Sequence, residues 1–251
     1  MQIPTVTGVI CRRLLINFRI DPEVITRWLP GPLEPKLHQG LAIAGLCLIR
    51  LEQVRPKGLP AIFGLASENA AHRVAVTWKD GHGTTREGVY IPRRDTGSRF
   101  TWLAGGRLFP GDHHFGKFNV RDDGRNLQLD YRARDGVVIH ISGAQTETWP
   151  DDSCFSSINE SSSFFEAGRL GFSATKDCCR LDGLELSTTT WRVEPFRVEA
   201  VQSSWFDDHS IFPLGSAEFD HALVMRNVAH EWHSAGSMRV ETRGAHQAVL
   251  T

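Results

Sequence analysis

The sequence predicts a mainly β fold of the α+β class, in which an antiparallel, barrel-like closed sheet carries two or three short helices. The strongest evidence is a pair of Asp-Gly steps, Asp123-Gly124 and Asp135-Gly136, each set between runs of alternating polar and apolar residues. Such steps favour tight hairpin turns, so a three-stranded meander is expected from about 115 to 141. Between the two steps, apolar residues from Leu127 to Ala133 alternate with polar ones, which is typical of a half-buried antiparallel strand.

The helix signals are short and few. Asp21 can cap a helix whose first residue is Pro22 and which ends before Gly31. A second helix is expected within residues 156–173, where serines precede a Phe-rich turn. Further strands are expected at Arg73–Trp78, Gly88–Pro92, Arg99–Leu103, Leu184–Thr190, Trp191–Val201 and Phe219–Val228. Because no linker interrupts the chain, residues 1–251 are expected to form one domain.

Charge and composition exclude several classes of partner. The chain has 28 basic and 29 acidic residues, a formal net charge of -1, so no strong field favours nucleic acid or anionic lipid. The longest apolar run, Leu41–Ile49, is much shorter than the ~20 residues that a membrane helix needs. The N-terminus carries its charges after its apolar residues, the reverse of a secretory signal. A cytoplasmic protein without nucleic acid or membrane partners is therefore expected.

Metal and cofactor motifs are weak. The five cysteines contain no C-x-x-C pair, and their number is odd. His230, Glu231 and His233 spell H-E-W-H, but these histidines are three residues apart rather than the four of zinc proteases. The sequence has no P-loop, no dinucleotide-binding glycine motif and no G-x-S-x-G nucleophile motif. We expect neither a metal nor an organic cofactor.

Three stretches resemble the acetoacetate decarboxylase-like superfamily. The segment NFRIDPEVITRWLPGPLEP (17–35) is similar to its N-terminal signature, GGRLFPGDHHFGKF (105–118) to the segment with its catalytic lysine, and LQLDY (127–131) to the next strand. The resemblance runs over residues 11–148, and the later strands look like those of a poorly characterised bacterial branch. It implies a barrel-like or cone-like fold around a central cavity, often in a homo-oligomer, with a small organic acid as the ligand.

The resemblance also implies that the family nucleophile is missing. Decarboxylases of the family form a Schiff base through one lysine of a Lys-Lys pair, because the neighbouring ammonium lowers the pKa of the reacting amine. Aligned without gaps, that pair falls on His114 and Phe115, while Gly106-Arg107 matches the family Gly-Arg. An imidazole would then stand at the cavity floor in place of the amine. Lys117 is the alternative nucleophile, although strand parity turns it towards solvent unless Gly116 forms a bulge.

Four residues complete the expected site. Glu68 matches in position a family glutamate that lies near the reacting carbonyl, and His114 could act with it as general acid and base. Arg12 has the same strand parity as Leu14, so it could face inward and bind a substrate carboxylate bidentately. Arg107 is a second anion contact, with a structural role as its alternative.

Three functions agree with these residues. The first is an acetoacetate decarboxylase-like protein that binds a small keto or carboxylic acid without Schiff-base chemistry and catalyses a lyase, hydratase or isomerase step. The second is a non-enzymatic ligand-binding or sensory module that uses the same cavity. The third is a true β-keto acid decarboxylase that uses Lys117.

Overall fold

The computed structural model describes residues 4–104 and 110–241, most of which lie in strands. In chain order the strands are β1 (Val6–Ile20), β2 (Glu34–Pro35), β3 (Leu37–His38), β4 (Leu41–Pro56), β5 (Leu65–Lys79), β6 (Thr85–Thr96), β7 (His113–Asp122), β8 (Asn126–Ala133), β9 (Val138–Gln145), β10 (Leu170–Ala174), β11 (Arg180–Thr188), β12 (Glu194–Ser203) and β13 (Ala217–Arg239). The helices are α1 (Pro22–Thr26), α2 (Arg99–Ala104) and α3 (Ile158–Ala167), and a 3₁₀ turn spans Ala61–Phe63.

The strands form one large sheet that closes on itself. Strands β13, β1, β4, β5 and β6 are neighbours in that order and form a wall that we call the shared wall. On one face, β7, β8, β9 and β12 run from β6 back to β13, and we call this the β8 side. On the other face, β10 and β11 also join β6 to β13, and we call this the β11 side. The shared wall therefore has two covered faces, so the structure is not a regular barrel.

The expected closed sheet is confirmed, with one difference in strand direction. Most neighbouring strands are antiparallel, but β6 runs parallel to both β7 and β10. Parallel neighbours need a crossover connection rather than a hairpin. Each of these two pairs is joined by a long segment that contains a helix, α2 between β6 and β7 and α3 before β10.

The meander is present as expected. Strands β7, β8 and β9 pair antiparallel, and the two turns place Gly124 and Gly136 at positive φ angles of 95° and 96°. These angles favour glycine because it has no Cβ. Apolar residues of β8 are buried on the β8 side while Gln128 and Arg132 are exposed.

Two helix predictions are confirmed and one strand prediction is wrong. The Asp21 carboxylate accepts a hydrogen bond from the Glu23 backbone N–H at the start of α1, and Ser157 caps α3. Residues 99–103, expected as a strand, belong to helix α2. The helix begins there because the Ser98 hydroxyl accepts a hydrogen bond from the Thr101 N–H, the capping contact that serine supplies. Within the described residues, none of the helices has the length and apolar character needed to cross a bilayer.

A buried histidine in the shared wall links stability to pH. His72 on β5 is 1% exposed, its ring nitrogens have no hydrogen-bond partner among the described residues, and it packs on Trp205 and Phe206. Burial, followed by the charges of Arg93 and His114, lowers the pKa of His72 to about 3. The ring is therefore neutral in the folded protein at pH 7.

We expect acid to destabilise the protein through His72. At pH values between about 6.5, the ordinary pKa of histidine, and about 3, the unfolded chain protonates His72 and the folded chain does not. In this range the free energy of unfolding therefore falls by up to about 1.4 kcal/mol for each unit by which the pH is lowered. The variant His72→Phe should remove that part of the slope. Urea unfolding at pH 7, 5.5 and 4.5 measures it, and an unchanged slope in the variant would contradict the assignment.

Candidate functional site

Two adjacent arginines on β1 point to opposite faces of the shared wall. Arg12 reaches Asp122 of β7 on the β8 side, whereas Arg13 contacts Cys47 of β4 and lies over the Trp191 ring on the β11 side. Side chains alternate along a strand, so neighbouring residues must separate in this way. Each arginine belongs to a different pocket.

The β11 side contains a deep, partly enclosed cavity of about 150 Å³. Its polar lining includes four arginines, Arg13, Arg73, Arg94 and Arg169, and one histidine, His113. Arg169 forms an ion pair with Glu166 at 2.8 Å. Much of the remaining lining is apolar and comes from β4, β5, β6, β10, β11 and β13. The chain has five lysines, all among the described residues, and none of them lines this cavity.

The other three cavity arginines, Arg13, Arg73 and Arg94, have no carboxylate partner among the described residues. Arg13 Nε donates to Cys47 Sγ at 3.4 Å, Arg94 Nε donates to Ser173 Oγ at 2.8 Å, and Arg73 donates to the side-chain carbonyl of Asn17. Arg13 Nη1 and Arg73 Nε are buried without a hydrogen-bond partner in the described part of the chain. Unpaired buried charges are costly, so such a cluster favours the binding of an anion.

Burial lowers the pKa of two of these arginines. Burial, assisted by the charge of Arg13, lowers the pKa of Arg73 to about 10. It also lowers the pKa of Arg94 to about 10. Both guanidinium groups nevertheless stay charged at pH 7. Burial, followed by the charge of Arg94, lowers the pKa of His113 to about 3, so this ring is neutral and can exchange hydrogen bonds with a ligand.

The only acidic residue among the described residues that line the cavity is Asp95. Its carboxylate is bound by Arg93 at 2.7 Å and by the Tyr131 hydroxyl at 2.7 Å, and neither of these residues lines the cavity. Burial raises the pKa of Asp95, and Arg93 and Tyr131 offset part of that rise. The Asp95 charge is thus already matched on the β8 side, which leaves the cavity with a positive excess.

A buried relay fixes the orientation of Arg73. Asp220 Oδ2 accepts a hydrogen bond from His221 Nδ1 at 2.6 Å, and His221 Nε2 lies 2.9 Å from Asn17 Nδ2 and 2.7 Å from Ser161 Oγ. Burial lowers the pKa of His221, so the neutral ring carries its proton on Nδ1 and Nε2 is an acceptor. Asn17 must then donate to His221 through its amide nitrogen and present its carbonyl oxygen to Arg73.

The geometry of three strands makes this contact between Asn17 and Arg73 direct. Asn17 of β1, Gly45 of β4 and Arg73 of β5 form one row across the sheet. Gly45 has no side chain, so the Arg73 guanidinium reaches across β4 to Asn17.

The opposite face holds a shallow open pocket in which charges are matched. Arg12 is 3% exposed and donates hydrogen bonds to Glu68 Oε2 at 2.6 Å and to Asp122 Oδ2 at 3.2 Å. Arg226 donates to both carboxylate oxygens of Asp122, each at 2.9 Å. Cys11, Arg50 and Gly124 complete the lining together with Val120. Burial raises the pKa of Glu68, and Arg12 and Arg50 offset part of that rise. Arg12 and Glu68 therefore meet as the sequence suggested, but they bind each other.

Two other expected site residues, His114 and Lys117, are not part of the cavity lining. His114 faces the β8 side, where its Nδ1 lies 3.0 Å from Asp135 Oδ2, so the expectation that it forms the cavity floor does not match its position. The reason is the alternation of β7, which turns the preceding residue, His113, into the cavity. Lys117 is exposed on the same strand. Arg107 lies outside the described residues.

Sequence reasoning missed four polar residues of the cavity. Arg13 follows the chosen Arg12, and His113 precedes the chosen His114, so in both cases the neighbouring position faces the cavity. Arg73 lay at the start of an expected strand, and Arg94 lay just beyond the expected strand Gly88–Pro92. Basic residues in or beside otherwise apolar strands were the available signal.

The family comparison covers most of the chain. The family model DUF2071, described as an uncharacterized conserved protein, matches residues 10–229. The chain belongs to the DUF2071 family. No protein with a curated description matches this DUF2071 chain significantly in sequence.

Solved structures show the fold of this DUF2071 protein. Acetoacetate decarboxylase from Legionella pneumophila aligns at a TM-score of 0.60 with 11% identity, over 95% of this chain and 87% of that chain. An acetoacetate decarboxylase-like enzyme from Sphingomonas wittichii aligns at 0.57 with 15% identity, over 94% and 92%. The enduracididine biosynthesis enzyme MppR, complexed with pyruvate, aligns at 0.58 with 12% identity, over 94% and 89%. The chain therefore has the acetoacetate decarboxylase-like fold.

The two adjacent arginines form a matched pair for a stability experiment. Arg12→Met should destabilise the protein by about 3 kcal/mol, because it leaves Glu68 buried without its partner. Arg13→Met should be neutral or stabilising, because it removes a buried charge that has no carboxylate partner. Urea unfolding of both variants at pH 7 measures the difference, and equal losses would contradict the charge assignment of the two faces.

Proposed function

We propose that this protein binds a small organic acid in the cavity of the β11 side and holds its carboxylate with the guanidinium groups of Arg13, Arg73 and Arg94. The observation that carries the proposal is the positive excess of the cavity, where three arginines lack a carboxylate partner among the described residues. A carboxylate matches the planar, forked donors of arginine. The relay through Asn17 and His221 holds one of these forks in place before the ligand arrives.

Binding proceeds without a Schiff base in this proposal. An imine needs an amine at the ligand carbonyl, and none of the five lysines lines the cavity. The neutral ring of His113 is placed instead to exchange a hydrogen bond with the bound acid. The bound pyruvate named for MppR is a small keto acid, which supports the same ligand class here.

Glu68 supports a second candidate, acid–base catalysis at the open pocket of the β8 side. Its carboxyl has a raised pKa and lies against Arg12, which could orient a substrate carboxylate. His114 is not part of that pocket's lining and would act only on a substrate that extends towards Asp135. The cavity is favoured because Arg12 is already bound by two carboxylates.

The acid-binding proposal predicts ligand-induced stabilisation. Pyruvate, acetoacetate and hexanoate are tested by thermal shift, with hexanamide as the neutral control for hexanoate. An acid present at a hundred times its Kd should stabilise the folded protein by about 2.7 kcal/mol. Arg13→Met and Arg94→Met should lose this effect, and Lys117→Met, on an exposed site, should keep it.

Two results would contradict the acid-binding proposal. One is a panel in which no acid stabilises the protein, or in which hexanamide acts as strongly as hexanoate. The other is a covalent adduct. After incubation with acetoacetate and borohydride, we expect the intact mass of the protein to be unchanged. An adduct mapped to Lys117 would instead establish the decarboxylase alternative.

The Glu68 candidate predicts loss of turnover in one variant. If the open pocket is catalytic, consumption of a keto acid by the wild type should fall at least about tenfold in Glu68→Gln, because the amide cannot transfer the proton. His114→Ala serves as the comparison, because it lies outside the pocket. If both variants consume the keto acid at the wild-type rate, Glu68 does not act as an acid–base catalyst.

A further inference from the structure

The cavity lining changes from polar to apolar along β4 and β5. Paired residues that line it are Cys47 with Ala71, Ile49 with Asn69, Leu51 with Ser67, and Val54 with Leu65. Two arginines lie beside the first two pairs. Arg94 of β6 is in register with Ala71, and Arg13 of β1 is in register with Ile49. None of the four pairs itself holds a charged group, and the last, Val54 with Leu65, is wholly apolar.

A bulge in β4 extends the apolar end. Gln53 has a positive φ of 53°, and the register with β5 shifts between Leu51 and Val54. A bulge adds one residue to the strand and therefore reverses which side chains face a given side. Val54 consequently faces the cavity after Leu51, where regular alternation would have placed Gln53.

The opposite side of the cavity continues this apolar end. Leu184 and Leu186 of β11 line it, and Leu186 pairs in register with Trp232 of β13, which also lines it. Leu51 and Val54 are buried in the same cluster against which Leu186 and Trp232 pack. The apolar end is thus formed by both the shared wall and the strands that cover it.

Exposed apolar residues lie in the lining of this cavity or next to its lining residues in the chain. Leu65 lines the cavity and is 42% exposed, and the neighbouring Phe63 is 66% exposed. Thr101 of α2 also lines it, and Phe100 and Leu103 beside it are 54% and 74% exposed. Clustered exposed apolar groups are typical of ligand-binding grooves.

We infer that the ligand is a carboxylic acid with an unbranched apolar chain, whose carboxylate meets Arg13, Arg73 and Arg94 and whose chain lies along Leu51, Val54 and Leu65. This inference rests on the proposed acid binding and adds the ligand class. Six residues of β5 separate Ala71 from Leu65, a distance of roughly 20 Å. This span is longer than an extended ten-carbon chain, so acids of six to ten carbons can lie within it.

A chain-length series tests the inference. Calorimetric titration with butanoate, hexanoate, octanoate and decanoate, each below its aggregation concentration, should show affinity that rises about three- to fourfold per added methylene. The gain should stop when the chain fills the apolar end. Octanamide and octanol, which lack the charge, should bind at least tenfold more weakly than octanoate.

Two variants locate the chain. Ser67→Trp fills the apolar end and should abolish the gain from butanoate to octanoate while leaving butanoate affinity within twofold. Leu65→Lys, at an exposed position, should reduce octanoate binding even if the tryptophan variant fails to fold. Thr85→Trp, outside the cavity lining, is the matched control and should behave as wild type.

The outcomes separate the two proposals. Arginine-dependent binding with equal affinity for all chain lengths would overturn the inference and leave acid binding intact. Octanol that binds as tightly as octanoate would overturn the inference, because the head group would then play no part. An absence of binding by every acid would overturn both.

Discussion

Adjacent residues of one strand divide the charge of this protein between two faces. Arg12 enters a matched network with Glu68 and Asp122. Arg13 instead faces a cavity in which it, Arg73 and Arg94 have no carboxylate partner among the described residues. The division follows from strand alternation and from the closure of the sheet on both faces of the shared wall. The location of the proposed ligand depends on that closure, because β10 and β11 convert an outer face into the cavity wall.

A positive cavity needs structural support. Burial without an ion pair costs free energy, and the fold offsets that cost through neutral hydrogen bonds and ring contacts. Arg73 lies 4.5 Å from the centre of the Phe165 ring and is fixed by Asn17, which is itself fixed by His221 and Asp220. Burial alone would raise the pKa of Asp220, but hydrogen bonds from His221, the Cys154 backbone and Ser153 outweigh it and hold the pKa at about 2. The relay therefore keeps its charge at neutral pH.

Local sequence signals predicted the local structure well. The Asp-Gly steps specified the meander, Asp21 specified α1, and parity grouped Arg12 with Leu14. The second closure could not be predicted, because β11 pairs with β13 and β10 with β6 over long sequence separations that no local pattern encodes. Parity shows which residues share a face but not which face encloses a cavity, so Arg12 and His114 were chosen where Arg13 and His113 line it. Bulges such as that at Gln53 add further reversals that periodicity does not reveal.

The most direct test of the account is a crystal structure of the protein with octanoate bound. The account predicts the carboxylate within hydrogen-bond distance of Arg13 Nη1 and Arg73 Nε on the β11 side, with the chain against Leu51 and Val54. Octanoate bound to Arg12 in the open pocket, or a cavity in which a carboxylate side chain already neutralises these arginines, would contradict it.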